Sequence, residues 1–141
     1  MTNFVMGLLI VQLLGGAYQL TFVLGAGQKL SNARATRLPD FVVVGHLTAA
    51  LTATALWVVW MATHEDVFAW ATLAVLLVTS AGGLFMFART ARQDSVVDRP
   101  AVDPADVRVA EKQIPATALA VHGLGAVVLL ACVLLEALGV T

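Results

Sequence analysis

Charge is scarce in this chain, and that scarcity excludes most soluble folds. Only 12% of the 141 residues are Asp, Glu, Lys or Arg, whereas 60% are hydrophobic. Soluble domains carry about 25% charged and about 45–50% apolar residues. The mean hydropathy of +0.89 therefore indicates a membrane protein. A net charge of −1 also gives no indication of nucleic-acid binding, so no nucleic-acid partner is expected.

Cysteine and proline are also rare. The single Cys132 excludes an intramolecular disulfide and a cysteine metal centre. Of the four prolines, Pro39 and Pro115 lie at the starts of apolar runs, where a helix tolerates proline because its first N–H groups have no partner. The chain also has no nucleophile–base pattern, phosphate loop or cysteine cluster. A stand-alone hydrolase or phosphotransferase is therefore not expected.

Four apolar runs are long enough to cross a bilayer, which takes roughly 20 residues. They lie at 4–25, 41–63, 67–88 and 115–138. Strands of a membrane barrel alternate in polarity over about ten residues, and these runs do not. We therefore expect an all-α, polytopic protein of the cell membrane. Its single domain would be an antiparallel four-helix transmembrane bundle in contact with the lipid bilayer.

The basic residues predict the orientation of this bundle. All eight Lys and Arg residues lie between the first and second runs or between the third and fourth. By the positive-inside rule, both of these connections face the cytoplasm and both termini lie outside. An aromatic belt at the outer interface is expected to contain Trp57, Trp60 and Trp70.

A proline followed seven residues later by a histidine occurs twice. Pro39 precedes His46 in the second apolar run, and Pro115 precedes His122 in the fourth. At a rise of 1.5 Å per residue, each histidine lies about 10 Å along its helix, so both lie at the same depth. A histidine in hydrocarbon is expensive and usually has a functional role.

Glycine pairs repeat in the other two runs. Gly15-Gly16 in the first run aligns with Gly82-Gly83 in the third, just as the two histidines align with each other. The chain is therefore predicted to contain two repeated helical hairpins, related by an axis along the membrane normal. Glycines at these positions would let a ring approach the backbone closely.

The paired histidines favour a ligand held from two sides. In an up-down-up-down bundle the second and fourth helices are diagonal neighbours, so His46 and His122 face each other across the axis. Haem with two axial imidazoles suits this arrangement, because the Nε2 atom of a neutral histidine binds iron directly. We therefore predict that these two histidines are the metal ligands.

On these positions the chain resembles the haem-bearing four-helix bundle of membrane b-type cytochromes. The resemblance implies one haem b ligated by His46 and His122, with four glycines packed on the macrocycle: Gly15, Gly16, Gly82 and Gly83. In two-haem members a second histidine follows about four turns later, but here those places hold Trp60 and Glu136. A single haem near the cytoplasmic face is therefore implied. The outward termini differ from those of the cytochrome of the bc complexes.

Three further residues are candidate haem contacts. Gln19 is expected to accept a hydrogen bond from the Nδ1–H group of an axial histidine and to fix its tautomer. Arg89 and Arg92 are expected to pair with the propionates. Each has a simpler interpretation as well, because Gln19 could bond across helices and the arginines serve as topology signals.

Electron transfer with a membrane quinol or a redox partner subunit is the function this reasoning favours. Six-coordinate iron has no open position for oxygen chemistry, so a carrier is favoured over an oxidase. Two alternatives stay open. The histidine pair could bind a divalent cation or relay protons in a transporter or channel. The chain could also be a non-catalytic accessory subunit whose histidines only bond within the core. A homo-oligomer is compatible with all three functions.

Overall fold

Four long helices form the protein in the computed structural model, which describes residues 1–24, 34–36, 38–92 and 108–140. They are α1 (Thr2–Val23), α2 (Asp40–Thr63), α3 (Asp66–Arg92) and α4 (Ala116–Ala137). All four are long and apolar enough to cross a membrane, as expected of a multi-pass membrane protein. They pack as an antiparallel bundle in which α1 and α3 each contact α2 and α4. The helices α2 and α4 are therefore diagonal neighbours, as predicted.

The helix ends follow local backbone chemistry. Pro39 and Pro115 precede α2 and α4 in extended conformation, with φ of −64° and −57°, and so cap the starts of these helices. The tight turn between α2 and α3 uses His64 in the left-handed region at φ 55°. The helix α3 extends to Arg92, beyond the predicted end at residue 88. Arginine is a good helix former, and its charge suits a helix C-terminus.

The pairing of two short strands outside the helices was not predicted, whereas a helical segment within residues 106–113, just before the fourth span, was. β1 (Arg34–Ala35) pairs in parallel with β2 (Arg108–Val109), and a 3₁₀ helix (Ala110–Gln113) follows β2. This pairing joins the segment ahead of α2 to the segment ahead of α4. Two-residue strands pair through backbone groups alone, so no side-chain pattern predicts them. The end of the first predicted span, residue 25, lies outside the described residues.

The buried side chains of the helices concentrate in one half of the bundle. We call the half nearer Pro39 and Pro115 the proline half (residues 13–23, 40–52, 80–92 and 116–128) and the rest of the helices the turn half. In the proline half, no helix residue is buried. The turn half contains the hydrophobic core: Val5, Leu9, Ala53, Trp57, Trp60, Ala69, Leu73, Leu76, Leu129, Cys132 and Val133.

Two of the three tryptophans belong to this core, so their predicted place in an interfacial belt is wrong. Trp57 is fully buried and Trp60 is 8% exposed, with their ring centroids 4.4 Å apart. The prediction used depth in the membrane alone, whereas the helix face decides whether a side chain meets lipid or protein. Trp70 is 44% exposed and remains compatible with an interfacial position.

Truncating Trp57 should test where the stability of the bundle resides. We expect Trp57→Ala to lower the free energy of unfolding by about 3–5 kcal/mol, because it removes a large, fully buried ring. Trp70→Ala is the matched control and should cost far less. Unfolding of the purified protein by titration with denaturing detergent measures both. Equal losses for the two variants would contradict a core concentrated in the turn half.

Candidate functional site

The two membrane histidines meet across the bundle. The ring centroids of His46 on α2 and His122 on α4 are 6.4 Å apart, and the ring planes are inclined by 57°. Both rings are partly buried in the proline half. The structure therefore brings together the two residues that the Pro–His spacing predicted to lie at one depth.

Each imidazole lies against a glycine pair on the neighbouring helix. A Cβ atom built on Gly83 of α3 would lie 3.1 Å from Cε1 of His46, and one on Gly82 would lie 3.7 Å from its Nδ1. On the opposite side, a Cβ atom on Gly15 of α1 would lie 3.4 Å from Nδ1 of His122. The four predicted glycines are thus at the level of the histidines. In the structure they contact the imidazoles, and their packing on a macrocycle remains a prediction.

The Nδ1 atom of His46 is fixed by the main chain. It lies 2.8 Å from the carbonyl oxygen of Thr79 on α3. A carbonyl only accepts hydrogen bonds, so Nδ1 carries the proton and donates it. The Nε2 atom of this neutral ring then presents a lone pair, which is the form of histidine that binds metals.

The Nδ1 atom of His122 meets a side chain instead. With the Gln12 amide oriented to satisfy its neighbours, its nitrogen donates to Nδ1 of His122 at 2.9 Å and to the carbonyl oxygen of His122 at 3.1 Å. Its oxygen accepts from the backbone N–H of Ala126 at 3.3 Å. The amide of α1 is thereby inserted into one turn of α4. Gln12 was not among the cofactor contacts predicted from the sequence, although its spacing of three and four from Gly15 and Gly16 places it on their face of α1 and predicted a hydrogen bond across helices.

A fifth glycine makes room for that amide. In this orientation, a Cβ atom on Gly125 would overlap the amide oxygen of Gln12 and lie 3.2 Å from its Cδ. The neighbouring Gly123 has nothing within 4 Å of such a position. On α4, the only sign of this contact in the sequence was the pair Gly123 and Gly125 after His122. It did not indicate which helix would approach them.

Gln19 lies beside the site without bonding to a histidine ring. Its amide nitrogen donates to the carbonyl oxygen of Ala118 at 3.4 Å, and it shares with His122 a cavity of about 120 Å³ between α1 and α4. The Nδ1 atom of His122 is contacted instead by Gln12, seven residues and about 10 Å earlier on α1, and the direction is the reverse of that expected of Gln19, because the amide nitrogen donates to Nδ1. A direct role of Gln19 toward a cofactor remains a prediction.

The two arginines lie nearer the proline end than the histidines. Arg89 and Arg92 line a cavity of about 380 Å³ with Phe85 and Ala88. They follow Gly83 on α3 by about 9 Å and about 14 Å of helix, respectively. This position suits acidic groups that point from the histidine level toward the proline end, and the propionate contact stays a prediction.

A metal site made by protein ligands alone is not formed in the part of the chain that the structure describes. No group of three or more His, Cys, Asp or Glu side chains is close enough there to hold an ion. Zinc sites normally use three or four protein ligands. The arrangement therefore presents two imidazoles from opposite sides of the bundle.

Comparison with known proteins gives no family for this chain. No protein-family model, curated protein or solved structure matches it. The fold and the site define its class directly: a multi-pass membrane protein whose four-helix bundle encloses a pair of facing histidines.

The two glycines beside His46 should respond differently to a methyl group. Gly82→Ala places its Cβ at ordinary contact distance, so we expect a gain of up to about 1 kcal/mol from helix propensity. Gly83→Ala should lack this gain, because its Cβ presses on Cε1 of His46 and the bond to Thr79 holds that ring in place. Thermal unfolding in detergent compares the two variants. Equal melting temperatures would show that the ring does not lie against Gly83.

Proposed function

We propose that this protein binds one haem b between His46 and His122 and transfers electrons within the membrane. The observation that carries the proposal is the 6.4 Å separation of the two ring centroids. Two metal–nitrogen bonds of about 2.0–2.1 Å, together with half an imidazole ring on each side, span about 6.3 Å. The diagonal histidines thus have the spacing of two axial ligands on one metal ion.

The packing of the proline half supports a flat ligand at this level. No helix side chain there is buried, whereas the turn half has a closed hydrophobic core. Two glycine pairs stand at the histidine level on α1 and α3, the helices that flank the histidine pair. Their missing side chains suit a planar ring whose edges extend toward those two helices.

The residues of the chain have separate roles in this proposal. His46 offers the Nε2 lone pair, because its Nδ1–H group is donated to Thr79. The apolar helices exclude water, and Arg89 and Arg92, which line a cavity toward the proline end, would pair with the haem propionates. Bound haem would supply reversible one-electron exchange. With both His46 and His122 as ligands, a bound iron would have no open position, so the role would be that of a carrier.

The partner follows from the location of the site. Both histidines lie inside helices that can cross a membrane, about 10 Å from the helix starts. A quinol dissolved in the lipid, or a redox subunit packed against the bundle, could approach such a site. A soluble donor would approach it only from the proline end.

Orientation belongs to the same proposal. We infer that the proline end faces the cytoplasm and that both termini lie outside, because every Lys and Arg belongs to the connections or helix ends at that end. The two hairpins would then be parallel repeats. The equivalent glycine contacts of His46 and His122 support this interpretation.

Cysteine labelling should test the orientation. Glu65→Cys in the exposed α2–α3 turn should react with a membrane-impermeant maleimide on intact cells. Asp40→Cys, exposed at the start of α2, should react only after the cells are opened. The unsubstituted chain is the background control, because its Cys132 is buried. The reverse pattern would show that the proline end lies outside.

An absorption spectrum tests the haem itself. The protein purified in detergent from haem-replete cells should show a Soret band and, after dithionite, the sharp α and β bands of low-spin iron with two imidazole ligands. His46→Ala and His122→Ala should each lose this low-spin spectrum, and His64→Ala, in the turn after α2, should retain it. A colourless wild-type protein would remove the proposal and return the histidine pair to a role in proton or cation movement or in packing alone.

A further inference from the structure

The two histidines lie against equivalent glycine pairs but have different partners at Nδ1. We propose that Gln12 is a positioning residue that holds His122 in the Nε2–H tautomer, the opposite of the tautomer of His46. His46 is then the resident ligand, which stays on the metal, and His122 is the exchangeable ligand, which another ligand can displace. The tautomer assignment stands on the contacts alone, whereas the order of ligation rests on the proposed haem function.

The tautomer of His46 cannot adjust, because its partner belongs to the main chain. The Thr79 carbonyl at 2.8 Å accepts a proton from Nδ1 and has none to give. It is also part of the backbone of α3, so it does not rotate. The Nε2 atom of His46 therefore carries a lone pair whether or not a ligand is bound.

The Gln12 amide has one orientation that satisfies all three of its contacts. In that orientation its nitrogen faces Nδ1 and the carbonyl oxygen of His122, and its oxygen faces the N–H of Ala126. Turning the amide over would place its oxygen 3.1 Å from the His122 carbonyl and its nitrogen 3.3 Å from the Ala126 nitrogen. Two donor–acceptor contacts would become contacts between like groups. Gln12 therefore favours an unprotonated Nδ1 on His122, which leaves the proton on Nε2.

Gly125 leaves a gap in the surface of α4 that the amide fills, and we call this gap the notch. The other histidine helix, α2, has no glycine at the corresponding position. A side chain at position 125 would occupy the space of the Gln12 amide. The residue at the corresponding distance after His46 is Ala49, and the residue that corresponds to Gln12 in the repeat is Thr79. The side-chain partner and the notch that admits it thus occur together, on the His122 side.

Ligation by His122 requires a change that ligation by His46 does not. For Nε2 of His122 to bind iron, its proton must leave and Nδ1 must take one up, so the ring stays neutral. Gln12 must then present its oxygen to Nδ1–H, at the expense of its contacts with α4. The bond from iron to His122 is therefore the weaker of the two.

Nitrogen NMR of the full chain tests the tautomers without any haem. The protein, labelled with ¹⁵N-histidine and produced in a haem-deficient host, should show His46 protonated on Nδ1 and His122 on Nε2, with assignments from the two alanine variants. Gln12→Leu and Gly125→Ala should each remove the preference of His122, because each takes the amide away from Nδ1. Gln19→Leu and Gly123→Ala are matched controls and should leave it unchanged. Wild-type His122 protonated on Nδ1, or a preference that survives both test variants, would overturn the proposal.

Carbon monoxide binding to the reduced, haem-loaded protein tests the exchangeable role. CO should displace His122 in the wild type. Gln12→Leu and Gly125→Ala should bind CO about tenfold more weakly, because His122 no longer has to give up its amide partner to stay on the iron. Equal CO affinity in the wild type and both variants would refute the exchangeable role. A chain that takes up no haem would refute the haem function, and the NMR experiment would still decide the tautomers.

Discussion

The contact between each imidazole and the backbone of a neighbouring helix is the interaction on which the site depends. A ring nitrogen inside the membrane needs a partner within the protein, because lipid offers none. The glycine pairs let α3 approach His46 and α1 approach His122 closely enough for that partner to be the Thr79 carbonyl or the Gln12 amide. These contacts set the rotation of α2 against α3 and of α4 against α1. The two rings face each other at 6.4 Å as a consequence.

Stability and site are separated along the bundle axis. Helices in lipid gain little from the hydrophobic effect and depend on close packing and hydrogen bonds between them. The turn half provides that packing through the ring contact of Trp57 with Trp60 and the side chains around them. Trp60 stands where a two-haem bundle would carry its second histidine, so that level is filled by the core. Because the turn half supplies the packing, the proline half can contain glycines and partly exposed rings.

The sequence predicted depth well and helix rotation poorly. Run length gave four spanning helices, proline marked the starts of α2 and α4, and equal Pro–His spacing placed His46 and His122 at one level. Each of these depends only on distance along one helix. Which face a residue presents depends on a second helix, and for that reason Trp57 was misplaced. Gln12 and Gln19 share one face of α1, so the preference for Gln19 was an error in matching the depth of α1 to that of α4, which also depends on a second helix. The notch at Gly125 exists only because a particular side chain of α1 enters it, so no pattern within α4 could identify it.

The two Nδ1 partners differ, so the two sides of the site are not equivalent even though the sequence around them is repeated. A main-chain carbonyl has one orientation and fixes His46 permanently as a proton donor at Nδ1. A side-chain amide has two orientations with different free energies, so His122 can exist in two states while the helices stay in place. His46 therefore has one available tautomer, whereas His122 can change tautomer when a proton moves between its nitrogens and the Gln12 amide turns. The adjustable Nδ1 contact therefore lies between α1 and α4, and the fixed one lies between α2 and α3.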